Sequence, residues 1–174
     1  MYYCDEREKL SIKLEVVKAA QVELFKNDST QSERLAAIRE INELEGAIDC
    51  IAPRYQVGDG ISCCGYSDVA PYTVIDVSSS GKRITVRACK AELDPSWKPK
   101  MHVGGFSAHT SNNAEQKWII TEDEEGAIRE LSLRKSKVNN AHVSHRESWR
   151  RVGESTQGGS RWYDGRRKFY DYNF

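Results

Sequence analysis

The sequence predicts an α+β protein in which an N-terminal antiparallel helical hairpin precedes an antiparallel β-sheet domain. Three observations carry that prediction. Apolar residues recur at helical spacing through residues 5–48, residues 57–91 alternate at strand spacing between turn signals, and a further pair of strand-like segments lies at 116–121 and 127–134. Pro53 marks the boundary, with residues 1–53 as the hairpin, expected to serve in oligomerisation, and residues 54–174 as the β domain.

In the first helix Asp5 and Glu8 have capping-box spacing, and Leu10, Leu14, Val17 and Leu24 follow on one stripe. Thr30 and Glu33 repeat the signal ahead of Leu35, Ile38, Ile41, Leu44 and Ile48. Only Asn27, Asp28 and Ser29 separate the two, so the helices fold back on each other, each arm roughly 30 Å long at the usual helical rise. Ile12, Val16, Val22 and Phe25 add apolar surface that one hairpin does not cover. It packs either on the chain's own sheet or on a second copy, with Leu14, Val17, Ile38 and Ile41 expected at the seam.

Residues 57–91 read as a β-meander. Turn chemistry at Val57-Gly58-Asp59-Gly60 precedes a strand near 61–66; a second strand opens at Pro71, and the tip at 78–82 turns into a third at 83–90, with Gly81 free to take the positive φ of a tight hairpin. Along the third strand Ile84, Val86 and Ala88 face the core, leaving Arg83, Thr85 and Arg87 on a basic face. Residues 92–114 are a long loop broken by Pro95, Pro99 and Gly104-Gly105, too apolar at Trp97, Met101, Val103 and Phe106 for a solvated linker. Residues 116–121 and 127–134 follow as an antiparallel pair around the acidic turn 122–126, with a bulge where Ile128, Leu131 and Leu133 break alternation. The Arg- and aromatic-rich end packs across the sheet as a finishing strand or lid.

The 26 basic and 26 acidic residues cancel, so bulk charge points neither to nucleic acid nor to membrane. Asymmetry is local: residues 1–50 hold 11 acids against 7 bases, and the stretch from His142 holds 7 bases against 4 acids. No apolar run reaches about 20 residues and no signal-peptide pattern follows Met1, which predicts a soluble intracellular protein. The five Cys, two of them adjacent at Cys63-Cys64, have neither zinc-ligand spacing nor a disulfide framework. His102, His109, His142 and His145 match no enzyme motif.

What remains is Arg and Lys interleaved with aromatics and amides: Phe106, Asn112, Asn113 and Gln116 before one strand, Arg129, Arg134 and Lys135 on the next, and Arg83 and Arg87 on the meander. Guanidinium forks hold phosphates, rings stack on bases and amides read base or ribose edges, so the combination suits a nucleotide. The rival reading is a nucleic-acid-binding or virion-associated interaction module that uses the Arg-rich tail.

The motifs Gly58-Asp59-Gly60, Tyr66-Ser67-Asp68, Pro71-Tyr72-Thr73-Val74-Ile75, Ser80-Gly81-Lys82-x-Ile84-Thr85-Val86 and the closing Tyr170-Asp171-Tyr172-Asn173-Phe174 resemble a widespread family of small phage proteins. Two long helices ahead of such a β domain resemble its first-type Thoeris anti-defence branch. The resemblance implies a protein without enzymatic activity or cofactor. It would act in the cytoplasm of the bacterial host as a sponge for cyclic ADP-ribose isomers and for cyclic di- or trinucleotides of the CBASS system, with no membrane or long nucleic acid as partner. It further implies a homo-oligomer, from dimer to hexamer, and a pocket made by Phe106, by an amide among Asn112, Asn113 and Gln116, and by Arg134. Arg83 and Arg87 are the candidates for a second phosphate-binding surface, chosen for their place on the basic face.

Overall fold

The computed structural model describes residues 5–26, 29–102, 109–154 and 160–173. It bears out the α+β fold, with helices α1 (Asp5–Lys26) and α2 (Gln31–Asp49) ahead of an antiparallel β region. The strands are β1 (Gly60–Cys64), β2 (Val69–Val77), β3 (Arg83–Ala88), β4 (Lys90–Leu93), β5 (Met101–His102), β6 (His109–Thr110), β7 (Trp118–Thr121), β8 (Ile128–Lys137), β9 (His145–Arg151) and β10 (Arg161–Asp164). Among the described residues no helix is long and apolar enough to cross a membrane. The chain divides into two compact units: residues up to Arg54 with Leu133–Ser148, and Tyr55–Ser132 with the remainder from Trp149 onward.

In the helical unit, Thr30 caps α2 as a reciprocal box. Glu33 N–H donates to Thr30 Oγ1 at 3.3 Å while Thr30 N–H donates to Glu33 Oε2 at 2.8 Å; this second bond and one from the Thr30 hydroxyl at 2.9 Å hold the Glu33 carboxyl below its usual range. Asp5, Glu6 and Glu8 occupy the first turn of α1, where the unpaired N–H groups favour negative charge. The two stripes meet: Leu14, Ile41 and Leu44 are buried together with Leu10, Val17 and Ile48 packed around them. Leu14 and Ile41 therefore belong to the inside of the hairpin and not to a seam with another copy. Ile12, Val16, Val22, Phe25, Leu35 and Ile38 stay exposed.

The boundary expected at Pro53 holds on the helical side, but the segment after it is not all β domain. Leu133–Ser148 clusters with the helices, because the C-terminal end of α2 needs both apolar cover and hydrogen-bond donors. Val143 packs with Ala47, Cys50 and Ile51; Glu147 N–H donates to Cys50 O at 2.6 Å, and Asn140 Nδ2 donates to Glu43 O at 3.2 Å. The Glu147 carboxylate is also held by Arg54 at 2.9 Å and Lys135 at 3.0 Å. Burial pushes its carboxyl up, and these two cations outweigh burial so that it lies below the usual glutamate range.

The sheet unit centres on a six-stranded sheet of order β10-β1-β2-β3-β8-β9, in which β10/β1, β1/β2, β2/β3 and β3/β8 run antiparallel. Ile61, Val74, Ile84, Val86 and Leu131 form its buried face. The hairpin tip folds as expected, with Gly81 at φ 65° and Arg83 N–H donating to Ser78 Oγ at 3.1 Å. The bulge, however, sits between Val74 and Asp76 in β2, and β8 pairs with β3 in even register. The expected pairing of 116–121 with 127–134 is not formed. β7 pairs with β4, a strand that starts at the end of the expected third strand and runs into the segment read as loop, while β8 joins the main sheet. The acidic turn thus carries the chain between sheets. Gly126 makes this possible, since a Cβ there would collide with the carbonyl oxygen of Ala88, whose own N–H donates to Ala127 O at 3.0 Å. The C-terminal segment does finish the sheet, through β10 on β1 and a bridge from Phe169 to Val69.

Candidate functional site

The loop after β4 and the chain end are tied together by side-chain amides. Asn112 is buried; its Oδ1 accepts from Lys100 N–H at 2.8 Å and its Nδ2 donates to Lys98 O at 2.9 Å. Asn113 Nδ2 donates to Asp171 Oδ1 at 2.9 Å. Gln116 Nε2 donates to Asn113 Oδ1 and to Tyr170 O, and its Oε1 accepts from Trp118 Nε1 at 2.9 Å and from Tyr170 N–H at 3.0 Å. A glutamine amide has two donors and two acceptor lone pairs, so Gln116 is saturated. Thr110 N–H donates to Asn173 Oδ1 at 2.8 Å and closes the knot. The three amides singled out in the sequence do share one place, but they hold the backbone and each other.

What the knot holds is a set of rings. Tyr172 lies 5.6 Å from Trp97 and 4.9 Å from Tyr170, edge-on to the latter, and Lys168 Nζ stands 5.4 Å over Trp118. Tyr170 keeps 44% of its surface exposed, whereas Trp97 is buried with no acceptor for its Nε1–H among the described residues. Phe106, the expected stacking ring, lies outside the described residues.

The arginines do not gather there. Arg83, Thr85 and Arg87 share one face of β3 as the alternation requires, opposite Ser132, Glu130 and Ile128 of β8. Arg83 is exposed. Arg87 lines a pocket of about 130 Å3 with Thr73, Ile75, Ala88, Glu122, Asp123 and Glu124, and its Nε–H is buried without an acceptor among the described residues. Arg87 thus shares its pocket with three carboxylates, of which Glu122 is paired with Arg166 at 2.8 Å. Arg134 is exposed and belongs to the helical unit, while the amides belong to the sheet unit. Arg129, by contrast, lies on the opposite face of the sheet, its guanidinium 5.5 Å over the Tyr72 ring.

Of the histidines, His102 and His109 face each other across β5 and β6 and are exposed. His145 Nδ1 lies 2.8 Å from Ser144 Oγ in the helical unit, beside a pocket of about 100 Å3 that Lys135 and Glu147 also line. Among the described residues no group of three or more His, Cys, Asp or Glu side chains could hold a metal ion. Comparison with protein-family models, with curated proteins and with solved structures finds no match to this chain.

Proposed function

We propose that the protein is a sponge: it binds a cyclic ADP-ribose isomer, and by the same chemistry cyclic di- or trinucleotides, and holds them intact, so that a host defence effector in the bacterial cytoplasm is not triggered. The resemblance of its meander and chain-end motifs to a family of small phage proteins, and of its two helices ahead of a β domain to the anti-defence branch of that family, motivates the reading, and the knotted ring surface supports it. An exposed Tyr170 braced by Tyr172 offers a face for a base, where stacking is worth about 1–3 kcal/mol, and Lys168 supplies a cation over the ring of Trp118, whose indole N–H shares the Gln116 amide with Tyr170. Asn113 and Gln116 act as positioning residues. Because their hydrogen bonds fix the rings beforehand, ligand binding need not order them, which favours slow release. Ile12 and Val16, 61% and 63% exposed on α1, are the surface through which copies would associate.

The test is calorimetry with cyclic ADP-ribose isomers and a cyclic trinucleotide, followed by heat denaturation and analysis of the released small molecule. A sponge returns it unchanged, and Tyr170→Ala binds about tenfold more weakly. Light scattering should give a mass above 19.8 kDa. Recovery of a cleaved product would make the protein an enzyme. Affinity that rises with oligonucleotide length and falls steeply with salt, without binding of cyclic nucleotides, would make it a nucleic-acid module.

A further inference from the structure

The Arg87 pocket lies between β2, β3 and the acidic turn at 122–126, and its walls are fixed by contacts within the chain. Thr73 of β2 stands directly opposite Arg87 of β3, so both side chains leave one face of the sheet. The bulge between Val74 and Asp76 leaves Ile75 without a partner on β3, and its side chain lines the pocket with theirs. The turn is the third wall. It is held to β3 by the close approach of Gly126 to Ala88 O and by the bond from Ala88 N–H to Ala127 O, while Gly126 N–H donates to Asp123 O at 3.1 Å and Glu125 N–H to Asp123 Oδ1 at 3.1 Å. Arg166 Nη2 fixes the start of the turn, donating to Glu122 Oε1 at 2.8 Å and to Gly58 O at 2.9 Å.

The charges inside this frame are of both signs and do not meet. Arg87 forms no ion pair with Glu122, Asp123 or Glu124, although all four line one cavity, and its Nε–H is buried with no acceptor among the described residues. Buried donors are nearly always paired, so an orphan facing carboxylates across open space calls for an explanation. Glu122 is neutralised by Arg166, Asp123 gives one oxygen to the Glu125 N–H, and Glu124 bonds to no described residue. Thr73, 7% exposed, has only the Cys89 thiol beside its hydroxyl, at 3.3 Å. A simple anion would gain Arg87 and be repelled by Asp123 and Glu124, and a simple cation would meet the reverse; a molecule that carries both charges is attracted at both ends.

We infer that this pocket binds a small α-amino acid as the zwitterion. Its carboxylate accepts from the Nε–H of Arg87 and the neighbouring Nη–H side by side, its ammonium donates to Asp123 and Glu124, and its side chain lies against Ile75 and the Ala88 methyl group. A cavity of about 130 Å3 restricts that side chain to a short one, such as that of alanine. The site shares no residue with the ring surface around Tyr170 and does not depend on the sponge reading.

The experiment is calorimetry at low ionic strength with L-alanine and, as single-charge controls, its two halves, propionate and ethylamine. Alanine should give saturable binding, and each half should bind at least about tenfold more weakly. Arg87→Gln should weaken alanine binding by about tenfold and Arg87→Lys by less, because charge survives without the fork. The double variant Asp123→Asn, Glu124→Gln should also weaken it by about tenfold; it keeps the oxygen that accepts from Glu125 N–H, so the turn is not put at risk. Tyr170→Ala should leave alanine affinity unchanged, which separates failure here from failure of the sponge. The inference is overturned if the wild-type protein binds no alanine, which leaves the pocket to water, or if propionate or ethylamine binds as tightly as alanine, which makes it a site for one charge. It is equally overturned if the double variant binds alanine like the wild type.

Discussion

The two polar regions of the sheet unit differ in what their donors and acceptors do. Around Gln116 every amide group has a partner within the chain, and the partners lie far away in sequence, at Tyr170 and Asp171. On the Tyr72 face, the guanidinium of Arg129 and the indole N–H of Trp162 have none among the described residues. Polar residues of the kind used for recognition are thus found in both places, but a saturated network is scaffold, whereas unanswered donors beside buried rings are where a ligand gains most.

Loss of the scaffold should have the largest effect. Gln116→Ala leaves Tyr170 N–H and O, Trp118 Nε1–H and Asn113 Oδ1 without their partner, and we expect it to lower stability by about 2–4 kcal/mol in urea unfolding. Asn112→Ala, which strands Lys100 N–H and Lys98 O under a buried side chain, should cost about 2–3 kcal/mol. If either variant unfolds at the wild-type midpoint, the knot contributes nothing and the contrast between the two regions is lost.

A third polar group, Glu147 with Arg54 and Lys135, sharpens the contrast through pH. Its carboxyl is lowered in the folded protein, so its ion pairs add stability that is complete above the ordinary glutamate pKa and is lost as pH falls through the lowered folded value. The unfolding midpoint of the wild type should therefore decline more steeply in acid than that of Glu147→Gln. Parallel acid profiles would show that the pairs do not contribute.

The smallest effect is expected at Arg129. The only described contact of its guanidinium is the Tyr72 ring, so Arg129→Gln should change stability by no more than about 0.5–1 kcal/mol. A loss as large as that of Gln116→Ala would make Arg129 another scaffold residue.

Much of this fold was legible from local chemistry. The Thr30–Glu33 box, the Gly81 turn and the alternation of Ile84 and Val86 with Arg83 and Arg87 each depend on neighbours a few positions away, and each took the expected form. The failures were long-range. Residues 118–121 and 128–134 adjoin in sequence and look like partners, but the close approach of Gly126 to Ala88 sends the second strand to β3 and leaves the first to β4. Asn112, Asn113 and Gln116 were read as amides for a ligand, and nothing in their local sequence shows the bonds they make, because an amide bonded to backbone 54 positions away looks like one free to meet a ligand. Arg129 was noticed among other basic residues, but only the register opposite Val86 shows that it faces the rings.

The division of β8 and β9 between the two compact units has a consequence for how such a protein can change over generations. Helices joined to a sheet by a single linker can be exchanged by recombination as one block. Here the cover for the end of α2, from Val143 to the Glu147 N–H, is encoded some ninety codons downstream, in strands whose other ends are spoken for by the sheet. A crossover after Arg54 would deliver helices without their cover and a β hairpin with an orphaned tip, so the two units are bound to be inherited and altered together.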